Sequence, residues 1–278
     1  MIKSFLKRAR DFVMPRSVIV KTERFAINNS NKHQGKKILI TGGGGGIGLS
    51  IAKKMIAGGA DVVVTGRKEE KIARAVSSLG AHAQGLQWDL CNREIMEAKI
   101  SEAEEMLGGA IDVLVNNAGI ADRENFGSLT FSTWDRVVET NLVAPVFLSQ
   151  ALSNRWLARK QAGVILNISS FAGNFAVDDA YAMSKNALNE FTFGMAKRLA
   201  SFGIRVNAIA PGIIAGTEIN RPQSKIPADG NLRSGWIPAG RNGVPDEIAE
   251  AASYIISDAA SYVHGAVLRV DGAGCAHV

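Results

Sequence analysis

Cysteine, histidine and long apolar runs are all scarce in this 278-residue chain, and each scarcity excludes a class of protein. The two cysteines, Cys91 and Cys275, are far apart, so we expect free thiols in the reducing cytoplasm rather than a disulfide framework. The four histidines are scattered along the chain, and we therefore expect no metal site. No apolar run approaches the roughly 18 residues that a membrane-spanning helix needs.

Positive charge is concentrated near the amino terminus. The formal net charge of the whole chain is +6. Residues 1–37 contain ten lysines and arginines against two acids, a net charge of +8, which leaves −2 for residues 38–278. Because the larger part of the chain is slightly acidic, the basic character does not indicate a nucleic-acid-binding surface, and we expect no nucleic-acid partner.

Residues 2–14 have the pattern of an amphipathic helix that ends at Pro15. Its apolar stripe consists of Ile2, Phe5, Leu6, Ala9, Phe12 and Val13, and lysines and arginines fill the opposite face. We favour docking of this helix on a neighbouring subunit or on its own domain. Contact with a membrane surface is one alternative. An organelle presequence is another, but Asp11 and the scarcity of serine argue against it.

From residue 36 onward, short apolar segments alternate with amphipathic ones. Strands are predicted at residues 36–40, 61–65, 81–88, 111–116, 163–169, 205–210 and 266–271. Helices are predicted at residues 47–57, 68–78, 93–107, 132–153, 180–201 and 245–257. Parallel strands separated by helices require right-handed crossovers, so the pattern predicts an α/β fold with a Rossmann-type, doubly wound parallel sheet of about seven strands. We expect an amino-terminal extension, residues 1–35, followed by a single domain, residues 36–278.

A glycine-rich turn joins the first predicted strand to the first predicted helix. It runs from Thr41 to Gly48 and reads Thr-Gly-Gly-Gly-Gly-Gly-Ile-Gly. Glycine lets the backbone turn tightly and approach a ligand closely, and the N–H groups at a helix start favour negative charge. The turn therefore predicts a site for the pyrophosphate of a dinucleotide. A flexible linker is the alternative, which the framing strand and helix disfavour.

The turn after the second strand carries two positive charges, Arg67 and Lys68. In a dinucleotide-binding fold this turn faces the adenosine ribose, where an acid suits NAD and a base suits the 2′-phosphate of NADP. Arginine binds phosphate with its planar fork, so we expect NADP(H) to be favoured over NAD(H). The alternative is an ordinary solvated pair of surface charges.

Tyr181 and Lys185 are four residues apart in a predicted helix and therefore share one face. A nearby ammonium lowers the pKa of a phenol, which makes tyrosine a usable proton donor or acceptor near neutral pH. Residues 167–170, Asn-Ile-Ser-Ser, end a predicted strand, and ligands bind at the carboxyl ends of strands in such sheets. A hydroxyl at that position could hold a substrate carbonyl oxygen.

In their order along residues 36–275, these motifs resemble those of the classical short-chain dehydrogenase/reductase family. Gly42, Gly46 and Gly48 match its glycine-rich loop, and residues 116–119 match its Asn-Asn-Ala-Gly turn. The other matching positions are Asp89, Asn141, Ser170, Tyr181, Lys185, Pro211, Gly212, Thr217 and the terminal Val270-Asp271-Gly272. The match is specific because it joins several motifs in one order.

The resemblance implies a role for each matching residue. Tyr181 is the general acid/base, Lys185 lowers its pKa and holds the nicotinamide ribose, and Ser170 orients the substrate oxygen. Asn141 supports a water in a proton relay. The implied cofactor-binding residues are Gly42, Gly44, Gly45, Gly46, Ile47, Gly48, Arg67, Lys68, Asp89, Leu90, Asn117, Ala118, Gly119, Tyr181, Lys185, Pro211, Gly212, Ile214 and Thr217.

The implied activity is hydride transfer between NADP(H) and a small carbonyl or secondary alcohol. The resemblance also implies a homodimer or homotetramer built through the helices at residues 132–153 and 180–201. A nucleotide-binding scaffold without turnover is disfavoured, because Asn141, Ser170, Tyr181 and Lys185 are all present. A sugar-nucleotide epimerase is disfavoured, because the glycines of its loop are usually spaced differently.

Three departures from the family pattern bear on specificity. The stretch between Gly173 and Tyr181 is about two residues shorter than usual. Gly45 stands where many members that use NADP carry a base. Residues 216–218 and 238–241 resemble the dienoyl-CoA reductase branch, so an enoyl- or dienoyl-thioester reductase is the alternative. The Tyr-x-x-x-Lys placement is of the classical form, which favours carbonyl chemistry.

The long irregular segment, residues 212–243, is expected to act as a lid.

Overall fold

The computed structural model describes residues 31–122, 124–175, 178–217, 219 and 237–275. The strands are β1 Lys37–Ile40, β2 Asp61–Gly66, β3 Ala83–Gln87, β4 Val113–Asn116, β5 Gly163–Ile168, β6 Ile204–Pro211 and β7 Val267–Val270. They form one parallel sheet in the order β3-β2-β1-β4-β5-β6-β7. The predicted doubly wound sheet of about seven strands is therefore confirmed. The order reverses between β1 and β4, which is where such sheets bind ligands.

Helices cover both faces of the sheet. They are α1 Gly46–Ala57, α2 Glu69–Leu79, α3 Met96–Met106, α4 Phe131–Val138, α5 Ala144–Arg159, α6 Ala180–Leu199 and α7 Pro245–Ile256. Side chains of α1, α2 and α7 pack on one face, and those of α3, α5 and α6 on the other. Among the described residues, no helix is long and apolar enough to cross a bilayer.

The core follows from the alternation of strand side chains between the two faces. Ile38 and Ile40 belong to the cluster beneath α1 and α7, whereas Leu39 belongs to the cluster beneath α3 and α5. Strands β5 and β6 are buried along their whole length because both of their faces are covered. This explains why their sequences are almost continuously apolar.

The predicted helix at residues 132–153 is in fact three consecutive helical segments that end later, at Arg159. A π-helical turn, Glu139–Val143, separates α4 from α5. Pro145 has no N–H to donate to the carbonyl of Asn141, four residues earlier. The N–H of Ala144 bonds five residues back, to the carbonyl of Glu139, so the turn widens at Asn141.

The first described residues, 31–35, belong to the predicted amino-terminal extension, and they pack on the body. The N–H of His33 donates to the carbonyl of Gly58 at 2.9 Å, and that of Gly35 donates to Gly59 at 2.9 Å. The His33 ring is buried and its Nε2 lies 2.9 Å from the hydroxyl of Ser253. The amphipathic segment 2–14 lies outside the described residues, so its role stays a prediction.

Candidate active site

The glycine-rich loop lies between the carboxyl end of β1 and the start of α1, and Gly42, Gly43 and Gly48 leave no room for a side chain. Gly42 has a φ of +66°, and a Cβ there would lie 2.9 Å from the Cα of Ala118. A Cβ on Gly48 would lie 2.5 Å from Nδ2 of Asn117. Glycine is thus required at both positions by conformation or by close approach.

The opposite side of the loop is open. A Cβ on Gly45 would meet nothing within 4 Å, and one on Gly44 would be 3.5 Å from Lys71. Helix α1 has no side-chain cap at its amino terminus and no acid in its first turn, which includes Ile47. Its first N–H groups and the positive end of its dipole therefore remain available, and this arrangement fits a dinucleotide pyrophosphate.

The Asn-Asn-Ala-Gly turn after β4 holds the loop in place. The side-chain amide of Asn117 donates to the carbonyls of Thr41 and Gly42, at 2.9 and 3.1 Å. The Thr41 hydroxyl accepts from the N–H groups of Asn117 and Ala118, both at 3.0 Å. These bonds fix the shape of the loop from the neighbouring strand. We did not predict Thr41 as a site residue, although it opens the motif.

Arg67 and Lys68 follow β2 and are exposed. Neither side chain forms an ion pair with a residue that the structure describes. Asp89, two residues beyond β3, is also exposed and accepts from the N–H of Cys91 at 3.1 Å, while Leu90 between them is buried. The residues predicted to contact the adenosine thus lie on the turns after β2 and β3, next to each other in the sheet.

Ser170 and Tyr181 meet across the space between β5 and α6. Ser170 is buried directly beyond β5, and its hydroxyl accepts from the N–H of Ala172 at 3.1 Å. Tyr181 is the second residue of α6, which begins where Asp179 accepts from the N–H of Ala182 at 2.8 Å. The Ser170 hydroxyl lies close enough to the phenol to lower its pKa. The predicted pair is therefore brought together.

Lys185 lies one turn further along α6 and is buried. Its Nζ donates to the carbonyl of Ile168 at 2.8 Å and lies 5.9 Å from the centre of the Tyr181 ring. A Cβ on Gly119 would lie 3.4 Å from this Nζ, so the Asn-Asn-Ala-Gly turn reaches Lys185. Burial lowers the pKa of Lys185 to about 8.

The pKa of Tyr181 differs from our expectation. Burial raises the pKa of this phenol above its ordinary value, and the hydrogen bond with Ser170 acts in the opposite direction. The charge of Asp179 raises it further. The Nζ of Lys185, which we expected to lower this pKa, donates to the carbonyl of Ile168, and the pKa of the phenol is raised on balance.

Asn141 lies on the π-helical turn and is fully buried. Its side-chain amide donates to the carbonyl of Ile120 at 2.8 Å and to the Ser184 hydroxyl at 3.2 Å, and its Oδ1 accepts from the N–H of Ile120 at 2.9 Å. The side chain therefore joins the turn after β4 to α6. The backbone carbonyl of Asn141, which Pro145 leaves without the usual donor, is suited to hold a water.

The sequence matches the short chain dehydrogenase family over residues 36–227. The chain belongs to this family. It is 37% identical over 241 residues to the galactitol 2-dehydrogenase (L-tagatose-forming) of Cereibacter sphaeroides, a match that covers 84% of this chain and 92% of that one. It is 36% identical over 241 residues to a 3-oxoacyl-(acyl-carrier-protein) reductase of Salmonella typhimurium, covering 86% and 97%.

A 3beta-hydroxysteroid dehydrogenase of Eggerthella lenta is 36% identical over 248 residues, covering 86% of this chain and 93% of the relative. Among solved structures, a short-chain type dehydrogenase/reductase from Mycobacterium marinum superposes with a TM-score of 0.81 at 29% identity, covering 90% of this chain and 99% of that one. These likenesses establish an oxidoreductase of the short chain dehydrogenase family, which uses a nicotinamide cofactor.

The remaining predicted residues of this dehydrogenase follow β6 and close the site from the other side. Gly212 lies directly against β7, since a Cβ there would be 2.7 Å from the Cα of Asp271. Pro211 ends β6, and the Thr217 hydroxyl donates to the carbonyl of Ile214 at 3.0 Å. Thr217 also borders the glycine-rich loop, because a Cβ on Gly46 would lie 3.5 Å from its methyl group. Much of the predicted lid lies outside the described residues.

Several residues around the catalytic set were missed in the sequence. Ser184 bonds Asn141, and Ser169 bonds Asn189, while Gly173 packs against the backbone of Lys185. Helical spacing from Tyr181 and Lys185 is the signal that could have identified Asn189. Among the described residues, no three histidine, cysteine, aspartate or glutamate side chains are grouped so that they could hold a metal ion.

Proposed function

We propose that this chain is an NADP(H)-dependent oxidoreductase that interconverts a small-molecule carbonyl and a secondary alcohol, with Tyr181 as general acid/base. One observation carries the proposal: the Tyr181 phenol lies beside the Ser170 hydroxyl and shares a helix face with the buried Lys185. This group lies at the carboxyl edge of the sheet, on the same side as the open glycine-rich loop.

In reduction, the cofactor supplies the hydride to the carbonyl carbon when it is bound. The hydroxyl of Ser170 donates to the carbonyl oxygen and orients it. Tyr181 gives its proton to the same oxygen as negative charge develops there, and it takes the proton back in the reverse direction. Positioned proton transfer of this kind contributes roughly 10²- to 10⁴-fold to the rate.

Lys185 acts through its charge. Its ammonium donates one N–H to the carbonyl of Ile168. The two remaining N–H groups are available for a ribose hydroxyl of the cofactor and for the phenol oxygen of Tyr181. A positive charge in this buried position stabilises the phenolate, and so Lys185 makes proton release by Tyr181 easier. The backbone carbonyl of Asn141 is the group we propose to hold the relay water.

NADP(H) is the proposed cofactor because Arg67 and Lys68 are exposed beyond β2 without an internal ion pair among the described residues. The guanidinium is therefore free to bind a 2′-phosphate in the bidentate manner that arginine favours. No acid stands at this turn, where Thr65 and Gly66 precede the arginine, so the contact that favours NAD is missing.

Carbonyl chemistry is preferred over enoyl reduction for a second reason. The names of all three relatives describe a hydroxyl or an oxo group as the reacting centre. The neighbouring hydroxyls of Tyr181 and Ser170 suit the same purpose, since both can bond to one substrate oxygen.

A turnover screen tests this function. The purified protein is assayed with NADPH and with NADH against simple ketones, 3-oxoacyl thioesters, keto sugars and enoyl thioesters, following the nicotinamide absorbance. We expect turnover of at least one ketone class and a higher kcat/KM with NADPH. Reduction of the enoyl thioesters alone would replace the proposal with its alternative.

We also propose a homo-oligomer, because large apolar side chains are exposed on two separate parts of the body. Phe147 on α5 and Phe193 on α6 are 47% and 43% exposed, and Tyr254 on α7 and Leu268 on β7 are 46% and 37% exposed. Two such faces suit a tetramer with two kinds of interface, of which one uses the predicted helices. A monomeric mass in solution at micromolar concentration would contradict it.

The cytoplasm is the proposed location, since both cysteines are free thiols.

A further inference from the structure

Helix α6 carries a polar stripe that continues beyond the catalytic residues. Asn189 and Thr192 follow Lys185 at helical spacing, and all three side chains are buried, with exposures of 4%, 0% and 3%. A helix face packed on a central strand normally carries apolar residues, so a buried polar stripe requires partners. Neither residue belongs to the proton transfer described above.

The carboxyl end of β5 supplies those partners, residue by residue. The side-chain amide of Asn167 donates to the Thr192 hydroxyl at 2.9 Å, and the Ser169 hydroxyl donates to Oδ1 of Asn189 at 2.6 Å. Between these two contacts, the carbonyl of Ile168 accepts from Lys185. The Ser169 hydroxyl also lies 3.2 Å from the carbonyl of Lys185. The strand and the helix are therefore joined by four hydrogen-bond contacts within three consecutive residues.

Asn189 makes one more contact, on the far side of Ser170. Its Nδ2 lies 3.4 Å from the carbonyl of Gly173, which also accepts from the amide of Asn186 at 2.9 Å. A Cβ on Gly173 would lie 2.8 Å from the backbone of Lys185, so this turn lies directly on the helix. Asn189 thus bonds the chain one residue before Ser170 and three residues after it.

We propose that Asn189 is a positioning residue of the active site, which holds Ser169 and Gly173 on α6 and so sets the distance between the Ser170 hydroxyl and Tyr181. This role rests on the proposed function. Ser170 belongs to the end of β5 and Tyr181 to α6, so their separation depends on how the strand and the helix are aligned. Apolar packing tolerates small shifts along a helix axis, whereas two hydrogen bonds from one amide do not.

The test compares two variants that break this link with one that breaks a similar bond further from the reaction. Asn189→Leu removes both contacts of the amide. Ser169→Ala removes the donor to Oδ1 of Asn189 together with the contact of the same hydroxyl with the carbonyl of Lys185. Thr192→Val is the matched control, because it removes a buried hydrogen bond of the same helix stripe, one turn further from Tyr181. Each variant is measured for kcat, for the Kd of NADPH and for Tm.

We expect Asn189→Leu and Ser169→Ala to lower kcat about tenfold or more, because small misplacements of reacting groups are costly. The Kd of NADPH should stay within about twofold, since the glycine-rich loop is held from β4. In the double variant the loss should not exceed that of Asn189→Leu, because both changes break the same link. Thr192→Val should lower Tm but leave kcat within about twofold.

Two further readouts separate positioning from mere stability. The nearby Ser170 hydroxyl lowers the pKa of Tyr181, so its displacement should shift the pH profile of kcat upward in Asn189→Leu and not in Thr192→Val. Hydrogen exchange in a peptide covering residues 169–175 should be faster in Asn189→Leu than in Thr192→Val. This second readout does not depend on turnover.

The positioning role is overturned if Asn189→Leu and Thr192→Val change kcat alike, in proportion to their loss of Tm, or if exchange at residues 169–175 is the same in both. The proposed function fails separately, if Tyr181→Phe retains the turnover of the unaltered protein. If Tyr181→Phe has no turnover and Asn189→Leu keeps the kcat of the unaltered protein, the positioning role is wrong and the proposed function stands.

Discussion

The glycine-rich loop and the β5–α6 pair contribute to the same site, but they are held by different means. The loop, residues 42–48, is fixed by backbone conformation and by bonds between two adjacent turns, such as those of Asn117 to Thr41 and Gly42. The proposed catalytic group is fixed by side chains from two different elements, such as Ser169 and Asn189. The cofactor side should therefore be sensitive to added atoms, and the catalytic side to lost hydrogen bonds.

The largest effect is expected where the loop has no room. Gly48→Ala would place a Cβ 2.5 Å from the amide of Asn117 and 2.7 Å from the carbonyl of Gly42, so the loop must shift. Overpacking of this kind costs up to about 3 kcal/mol, which corresponds to roughly a 100-fold loss in affinity for NADPH. Fluorescence titration with NADPH measures this loss.

Gly45→Ala is the matched control for this prediction. Its Cβ would meet nothing within 4 Å, and its backbone is extended, so we expect NADPH affinity within about twofold of the unaltered protein. Equal losses in both variants would mean that loop flexibility, and not close packing, determines cofactor binding.

The free energy of unfolding should depend on pH through His33, which contacts Ser253 at the opposite edge of the sheet. Burial, with the charges of Lys36 and Lys32, lowers the pKa of His33 from 6.5 to about 4. The folded chain therefore prefers the neutral ring. Stability is complete above pH 6.5 and falls as the pH drops towards 4, because the unfolded chain binds the proton first.

Between pH 7 and 5, this linkage removes about 2 kcal/mol of unfolding free energy. Urea unfolding at several pH values measures it, with His33→Gln as the variant that cannot titrate and the exposed His82→Gln as the control. If His33→Gln keeps the full pH dependence over this range, another group is responsible.

The cofactor preference should give a smaller effect. Arg67→Ala removes the proposed contact with the 2′-phosphate, so we expect KM for NADPH to rise about tenfold while KM for NADH is nearly unchanged. Arg74→Ala, an exposed arginine on α2, is the control and should change neither. Equal losses for both cofactors in Arg67→Ala would indicate a structural role.

The smallest effect concerns the amino-terminal extension. Deleting residues 1–30 leaves the packed residues 31–35 in place and should lower Tm by about 3–6 °C or weaken the oligomer, if residues 2–14 dock on protein. An unaltered Tm and oligomeric mass would refute docking. If binding to anionic vesicles is lost at the same time, the membrane-surface alternative is favoured.

The cofactor side and the fold could be predicted because their signals are local. Gly42 and Gly48 are required by contacts with neighbouring turns, and alternating apolar segments determine the order of strands and helices. Tyr181 and Lys185 were equally accessible, since four residues make one helical turn. Each of these signals lies within a short stretch of sequence.

The rest depends on pairs that no short stretch contains. The bond between Ser169 and Asn189 spans 20 residues and two elements, and the contact of His33 with Ser253 spans 220. The π-helical turn at Asn141 was missed because Pro145 is compatible with a helix start, and we weighed only the apolar pattern. The direction of Lys185 Nζ could not be predicted, because rotamers respond to the surrounding structure.

The central claim is that Tyr181 transfers the proton while the cofactor site is built separately, and Tyr181→Phe tests it most directly. We predict a loss of at least about 100-fold in kcat with the Kd of NADPH within about twofold, because the ring is kept and only the proton is removed. Tyr262→Phe, at a tyrosine that is 99% exposed, should leave both unchanged. If Tyr181→Phe retained more than about a tenth of the turnover, Tyr181 would not be the general acid.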